Sequence, residues 1–317
     1  MKVVIAYDGS EPAKAAISGL HRAGLPHDAE VLVVSVADVW PPLPRPSSEP
    51  DSERSGWNKS PIVMKAATLA AASRAEAQTL AAEGAAMVTT AFPGWKVSQA
   101  AYAGSPYLAL IQAAEGKADL IVVGSQGRSA LGGLVMGSVS QKVMRHATCS
   151  VRVSRRNDRI TSGSRGFAPV RIILGVDGST HSALAIKAVA SRAWPAETEV
   201  KIVAVMDAKF WAVLADPGSS PWAWVGDAEE DGRTWADRAV AAVSEQLQSA
   251  GLIATSHVEE GDPKRVLVDV AERWKADCIF VGAKGHSGLE RFLLGSVSAG
   301  VAMRAPCSVE VVRQAAS

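Results

Sequence analysis

The stretch "VVIAYDGSEPAKAAISGL", residues 3–20, joins an apolar run to an amphipathic segment through the turn-forming residues Asp-Gly-Ser. It recurs as "IILGVDGSTHSALAIKAV" at residues 172–189. A run rich in Val and Ile predicts a buried strand, and the segment that follows it predicts a helix. A strand, a tight turn and a helix that occur twice in one chain predict two copies of one α/β unit.

Further matches extend the repeat along the chain. "AEVLVVSVAD" at residues 29–38 matches "TEVKIVAVMD" at residues 198–207, and "ATCSVRV" matches "APCSVEV" near the end of each copy. In each copy five apolar runs alternate with helical segments, which predicts a parallel sheet covered by helices on both faces. We therefore predict an α/β fold of two doubly wound, five-stranded domains, at residues 1–154 and 170–317, with a linker at residues 155–169.

The two copies differ most between their second and third strands. The first copy carries about a dozen extra residues there, which we expect in the loop at residues 39–61, because its prolines and serines disfavour regular structure. The corresponding loop at residues 208–232 is apolar and rich in tryptophan. Each loop has two open interpretations, a partner surface or a surface loop that folds back on its own domain.

Composition limits the classes of partner. The formal net charge of +1 provides no long-range field for nucleic acid or an anionic membrane. No apolar stretch approaches the ~18 residues of a membrane span, and Asp8 interrupts the first apolar run before a signal peptide could form. We expect a soluble, cytoplasmic protein without nucleic-acid or membrane partners. Cys149, Cys278 and Cys307 fit neither a disulfide framework nor a metal site, which predicts core thiols.

A glycine-rich loop follows the fourth apolar run of each copy. "GSQGRSALGGLVMGS", residues 124–138, shares its glycine and serine frame with "GAKGHSGLERFLLGS", residues 282–296. With the strand order 3-2-1-4-5, the first and fourth strands are neighbours, so this loop and the Asp-Gly-Ser turn would flank one crevice. Glycines admit a ligand close to backbone N–H groups, and a helix N-terminus favours phosphate. The alternative is plain turn chemistry, with Ser138 as a helix N-cap.

The frame G-x-x-G, nine residues, then G-S resembles the nucleotide-binding signature of the universal stress protein family. The segments "VVIAYDGS", "GSP" and "GDP", and "CSVRV" and "CSVEV" resemble that family as well. The resemblance implies two Rossmann-like, adenine nucleotide alpha hydrolase-like domains that pair through their last strands within the chain. It leaves a homodimer open as a further arrangement.

The resemblance also implies ATP as the ligand, with Mg²⁺ as a candidate companion ion. Asp8 and Asp177 would lie against the adenine and ribose, and Val36 and Val205 would line the adenine pocket. The residues implied to hold the phosphates are Gly124, Gly127, Gly137, Ser138 and Ser140 in the first copy and Gly282, Gly285, Gly295, Ser296 and Ser298 in the second. Arg128, with His286 as its counterpart, is either a further phosphate contact or a solvated loop charge.

Hydrolysis of a nucleotide needs a base beside the attacked phosphate and a means of stabilising charge there. The carboxylates that recur near the crevice are Asp8 and Asp177, and both are expected at the sugar end. We therefore expect an ATP-binding stress-response regulator with no catalytic residues, no metal site and at most slow hydrolysis. Two alternatives stay open: a slow ATPase or nucleotide phosphotransferase, and a nucleotide-independent scaffold that uses the Trp-bearing segment 210–226.

Overall fold

The computed structural model describes residues 1–38, 61–127, 136–156, 169–207, 232–285 and 294–314. Arg128, His286, the Trp-bearing segment and nearly all of the two variable loops lie outside the described residues. We refer to residues 1–156 as the first half and to residues 169–314 as the second half.

The first half alternates strands and helices as the apolar runs predict. Its elements are β1 (Lys2–Ala6), α1 (Glu11–Ser18), β2 (Glu30–Ala37), α2 (Pro61–Ala91), β3 (Lys96–Ala103), α3 (Pro106–Ala114), β4 (Leu120–Gly124), α4 (Ser138–His146) and β5 (Ser150–Ser154).

The second half repeats this order of elements. They are β6 (Arg171–Val176), α5 (Thr180–Ala190), β7 (Glu199–Met206), α6 (Gly232–Ser249), β8 (Ile253–Glu260), α7 (Pro263–Trp274), β9 (Cys278–Gly282), α8 (Ser296–Arg304) and β10 (Ser308–Val312).

The strands form a continuous ten-stranded sheet in the order β3-β2-β1-β4-β5-β10-β9-β6-β7-β8. Within each half the paired strands are parallel and follow the predicted order 3-2-1-4-5. The last strands, β5 and β10, pair antiparallel, with Arg152 opposite Glu310. The predicted pairing of the two last strands within one chain is therefore confirmed.

The core follows from the position of each strand in the sheet. β4, β5 and β10 are buried along their whole length, whereas β3 is mostly exposed and β8 is half exposed, because each lies at an edge. On one face a single apolar cluster crosses the β5–β10 junction, while each half has a separate cluster on the opposite face. The three cysteines are buried free thiols, as predicted.

The extra length of the first copy lies in a helix. α2 has 31 residues and its counterpart α6 has 18, so the expectation that the additional residues lie in the proline-rich loop is wrong. α2 packs closely on the sheet at Gly84, where a Cβ would lie 2.8 Å from the ring of Tyr7. Among the described residues, no helix has the length and apolar character needed to cross a membrane.

Candidate functional site

The Asp-Gly-Ser turn connects β1 to α1 through local hydrogen bonds. Asp8 Oδ1 accepts hydrogen bonds from Ser10 N (3.0 Å) and Ser10 Oγ (2.6 Å), and Ser10 Oγ accepts one from Ala13 N (3.3 Å). Gly9 has a φ of 77°, a conformation that glycine adopts at low cost. The aspartate thus fixes the turn, and the serine caps the helix.

The second copy repeats this turn. Asp177 Oδ1 accepts from Ser179 N (3.0 Å), Ser179 Oγ accepts from Ser182 N (3.1 Å), and Gly178 also has a φ of 77°. The two aspartates therefore occupy equivalent places at the carboxyl ends of β1 and β6.

The first glycine of each frame makes room for the helix that follows the Asp-Gly-Ser turn. A Cβ on Gly124 would lie 3.1 Å from the backbone carbon of Pro12, and one on Gly282 would lie 2.5 Å from the backbone carbon of His181. Because a backbone cannot move aside as a flexible side chain can, both positions favour glycine.

The second glycine of each frame makes room for the aspartate. A Cβ on Gly127 would lie 2.9 Å from Asp8 Oδ2, and one on Gly285 would lie 2.7 Å from Asp177 Oδ2. The Asp-Gly-Ser turn and the glycine loop are therefore in direct contact in both halves, as the strand order predicts.

The third glycine precedes a helix whose N-terminus has no side-chain cap. Gly137 N donates to Ser125 O and Gly295 N donates to Ala283 O, each at 2.7 Å, which closes the loop back on the strand end. The N-cap residues of α4 and α8 are these glycines, which have no side chain to cap the first turn, whereas Ser10 and Ser179 cap α1 and α5. The first-turn N–H groups of α4 and α8 are thus left to other acceptors.

The serine two residues into each of these helices is engaged with the protein. Ser140 Oγ donates to Gly124 O at 2.7 Å, and Ser298 Oγ donates to Gly282 O at 2.6 Å. A hydroxyl has a single hydrogen to donate, so these two serines have none left for a phosphate oxygen. In the structure they tie α4 and α8 to the ends of β4 and β9.

A cleft of about 660 Å³ opens where these segments of the first half meet. This volume is in the range of small-molecule sites. The structure brings all the predicted first-half residues that it describes into the lining of this cleft, namely Asp8, Val36, Gly124, Gly127, Gly137, Ser138 and Ser140.

Helix α2 contributes one wall of the cleft, and the sequence analysis did not predict this wall. Ser73, Glu76, Ala77 and Leu80 line it, at the spacing of one helical face. That spacing was the available signal, but the helix is so rich in alanine that the sequence does not distinguish this face from the others.

Tyr7 also lines the cleft and attaches α2 to β1. Its hydroxyl donates to Glu83 Oε1 at 2.5 Å, and burial, followed by this hydrogen bond and charge, raises the pKa of Tyr7 above its ordinary value. The phenol therefore stays protonated as a donor at neutral pH. In the repeat, Val176 stands at the position of Tyr7, so this attachment belongs to the first half.

The loop region of the second half has a different charge. Lys284 stands where the first half has Gln126, and Val205 is buried at the end of β7. Burial, and then the positive charge of Lys284, lower the pKa of His181 below its ordinary value, so that this imidazole is neutral at neutral pH.

Across the described part of the chain, no group of three or more His, Cys, Asp or Glu residues is arranged to hold a metal ion.

The fold and the loops together define a chain of two doubly wound α/β units, each with a glycine loop beside the carboxyl end of its first strand. The model of the universal stress protein family matches residues 1–155 and again residues 170–313. The chain therefore belongs to the universal stress protein family, as a tandem of two family units.

Known proteins agree with this assignment. The chain is 30% identical over 322 residues to a universal stress protein of Mycobacterium tuberculosis, and this match covers 98% of this chain and 97% of that protein. It is 31% identical over 198 residues to one of Mycolicibacterium smegmatis, and this match spans 62% of each protein. A universal stress protein structure from Archaeoglobus fulgidus covers 99% of this chain and is itself covered over 96%, with a TM-score of 0.56 and 20% identity, which supports the fold.

Proposed function

We propose that this protein binds an adenine nucleotide, ATP, in the cleft of the first half and beside the equivalent glycine loop of the second half, and acts as a nucleotide-dependent regulator in the stress response. The observation that carries the proposal is the N-terminus of α4, whose N-cap residue Gly137 has no side chain to cap the helix and which contributes Ser138 to the cleft lining beside the glycine loop. Helix N-termini attract anions through their N–H groups and their dipole, so the phosphates belong at this end.

The other end of the cleft suits the nucleoside. Val34, Val36 and Leu110 provide apolar surface for a flat base. Asp8 is a hydrogen-bond acceptor, and the ribose hydroxyls and the adenine amino group are the donors that such a ligand offers. The phosphates would approach the backbone at Gly127 and Gly137, where no side chain stands in the way, while Ser140 holds the start of α4 to the end of β4.

Mg²⁺ would suit ATP in this cleft, because the charged residues among the described lining, Asp8, Asp38 and Glu76, are all acidic and leave the charge of a triphosphate uncompensated. When bound, the ion would neutralise part of the triphosphate charge. We infer binding in preference to rapid turnover, because Asp8 Oδ1 is held by two hydrogen bonds from Ser10 and the aspartate serves the turn.

Isothermal titration calorimetry with ATP tests this function, with and without Mg²⁺. We expect two sites per chain in the wild type, and one site in Asp8→Ala and in Asp177→Ala. Asp28→Ala, at an exposed position outside the cleft, is the matched control and should keep both sites. An absence of binding at millimolar ATP would refute the proposal, and GTP and AMP titrations would define the ligand.

A phosphate-release assay on the same samples separates regulator from enzyme. We expect slow release at most. Phosphate release at ordinary enzymatic rates would favour an ATPase if it is lost in the double variant with Asp8→Ala and Asp177→Ala.

A further inference from the structure

The junction between β5 and β10 contains contacts that repeat across a pseudo-twofold axis. Arg313 N donates to Ser150 Oγ and Arg155 N donates to Ser308 Oγ, both at 3.1 Å. The Arg155 guanidinium donates to Ala302 O at 2.6 Å, at the end of α8. These residues are equivalent between the halves, so the same contacts would form equally well between two identical halves.

Arg313 makes the reciprocal contact of Arg155. Its guanidinium donates to Met144 O, at the end of α4, and to Cys149 O at 3.4 Å. Each half therefore holds a helix end of the other half with an arginine that directly follows its last strand.

The centre of the junction breaks this symmetry with charge. Arg152 and Glu310 are equivalent positions of the repeat and lie directly opposite each other, with Arg152 Nη1 3.3 Å from Glu310 Oε2. Both residues are buried, at 2% and 0% exposure. Two first halves across the same axis would place Arg152 against Arg152, without the carboxylate, and an uncompensated buried charge is costly.

Arg192 strengthens the asymmetry. Its guanidinium bonds to Glu310 and also donates to Ala23 O of the first half at 2.9 Å. Ala23 is the residue at the equivalent position of the first half, so a pair of first halves would lack this second cation and the carboxylate that it meets.

The rim of the junction breaks the symmetry with shape. Trp194 of the second half covers Gly24 of the first, where a Cβ would lie 2.6 Å from the indole ring. Ala193 occupies the equivalent of Gly24 in the second half. Gly24 adopts a positive φ of 62°, whereas Ala193 does not. Two second halves would therefore not reproduce the glycine surface on which the indole packs, and an alanine held in the conformation of Gly24 would place its Cβ against the ring.

A further ion pair also requires unlike halves. Arg22 Nη2 donates to Asp277 Oδ2 at 2.6 Å and to Pro169 O at 2.8 Å. The equivalent of Arg22 in the second half is Ser191, which is too short to make this contact. A pair of second halves would lose the guanidinium at Asp277.

We propose that the β5–β10 junction pairs a first half with a second half. Arg152 excludes a pair of two first halves, and Trp194 excludes a pair of two second halves. Specificity of this kind arises when the wrong pairing meets a buried like charge or a clash. The linker raises the effective concentration of the correct partner, so the halves of one chain close on each other. Both last strands are then used within the chain and are closed to a second copy.

Partner exchange in a nicked protein tests this selection. A specific protease site is placed within residues 157–168 of the full chain, and the folded protein is cleaved there. Isotopically light and heavy samples are mixed, unfolded in urea and refolded, and the pairs are weighed by native mass spectrometry. We expect unlike pairs in at least about tenfold excess over like pairs. Like pairs as frequent as unlike pairs would overturn the proposal.

Two variants of the nicked protein assign the cause. In Arg152→Leu we expect pairs of two first halves to rise by about tenfold or more, because the repelling charges are gone. Arg145→Leu removes an exposed arginine of α4 and should leave the distribution of the wild type unchanged. An unchanged distribution in Arg152→Leu would refute the role of this charge.

A second measurement on the intact chain needs no dissociation of the halves. Urea unfolding of Arg152→Leu, Glu310→Leu and the double variant gives the coupling between the two residues. We expect the double variant to be less destabilised than the sum of the single variants. Additive effects would overturn the charge-based selection.

Discussion

At the scale of single residues, the glycines of the frame both allow close packing and position the loop beside the cleft. Gly124 and Gly127 leave room for the backbone of Pro12 and for the carboxylate of Asp8. The interpretation of these glycines as turn residues and their interpretation as a ligand loop are therefore compatible, because the packing that requires glycine also positions the loop beside Asp8.

Gly127→Ala tests this link between packing and binding. The added Cβ would lie 2.9 Å from Asp8 Oδ2, so the carboxylate has to move. We expect ATP affinity in the first half to fall about tenfold, or ~1.4 kcal/mol, with the second half unaffected. Isothermal titration calorimetry measures both sites. Gly19→Ala, which meets no atom within 4 Å, is the matched control.

The sequence indicates Asp8 and the glycines because their chemistry is local and recurs in both copies. It does not indicate that Ser140 donates to Gly124 O, since a hydroxyl near a helix start is equally suited to a phosphate. Only the distance between the two atoms distinguishes these roles.

At the scale of elements, helix α2 distinguishes the first half from the second. It is 13 residues longer than α6, 31 against 18, and it provides a wall of the cleft through Ser73 and Glu76. Gly84 brings it close to β1, and the hydroxyl of Tyr7 bonds to Glu83. The hydrogen bond therefore fixes the position of this wall relative to the strand that carries Asp8.

Tyr7→Phe removes this hydrogen bond and keeps the ring. We expect the free energy of unfolding to fall by about 1 kcal/mol, as for a typical hydrogen bond within a protein. Urea unfolding followed by circular dichroism measures the change. Tyr102→Phe removes an exposed hydroxyl of β3 and should leave stability unchanged. Equal effects of both substitutions would contradict the role of the Tyr7 hydroxyl.

Apolar periodicity predicted the strands and helices of both halves because each buried strand reads as a continuous apolar run. It placed the additional residues of the first copy wrongly, because proline and serine indicate a loop but do not fix its length relative to the next helix. Apolar periodicity also does not predict the exposure of the edge strands β3 and β8, because that exposure depends on which strands pair with them in the sheet.

At the scale of the whole molecule, one sheet and one shared apolar cluster join the halves. Arg155 and Arg313 add hydrogen bonds from each last strand to a helix end of the other half. Burial lowers the pKa of Arg313 to about 10, so it remains charged at neutral pH. The halves should therefore unfold together.

Differential scanning calorimetry tests this cooperativity. We expect a single transition in the wild type and a lower Tm in Arg155→Met or Arg313→Met, since each leaves buried carbonyls without donors at a cost of about 1–3 kcal/mol. The double variant should separate into two transitions. Arg145→Met, at an exposed position, is the control. A single transition at the wild-type Tm in the double variant would show that these arginines do not couple the halves.

Local patterns in the sequence are sufficient to predict the repeat, the order of strands and helices, the glycine frame and the place of Asp8 and Asp177. These features depend on local periodicity and on turn chemistry within a few residues, and they occur twice. The tertiary structure decided the face of α2 that lines the cleft, the engagement of Ser140 and the opposition of Arg152 and Glu310. Those contacts join residues that are distant along the chain, so packing alone brings their atoms within reach.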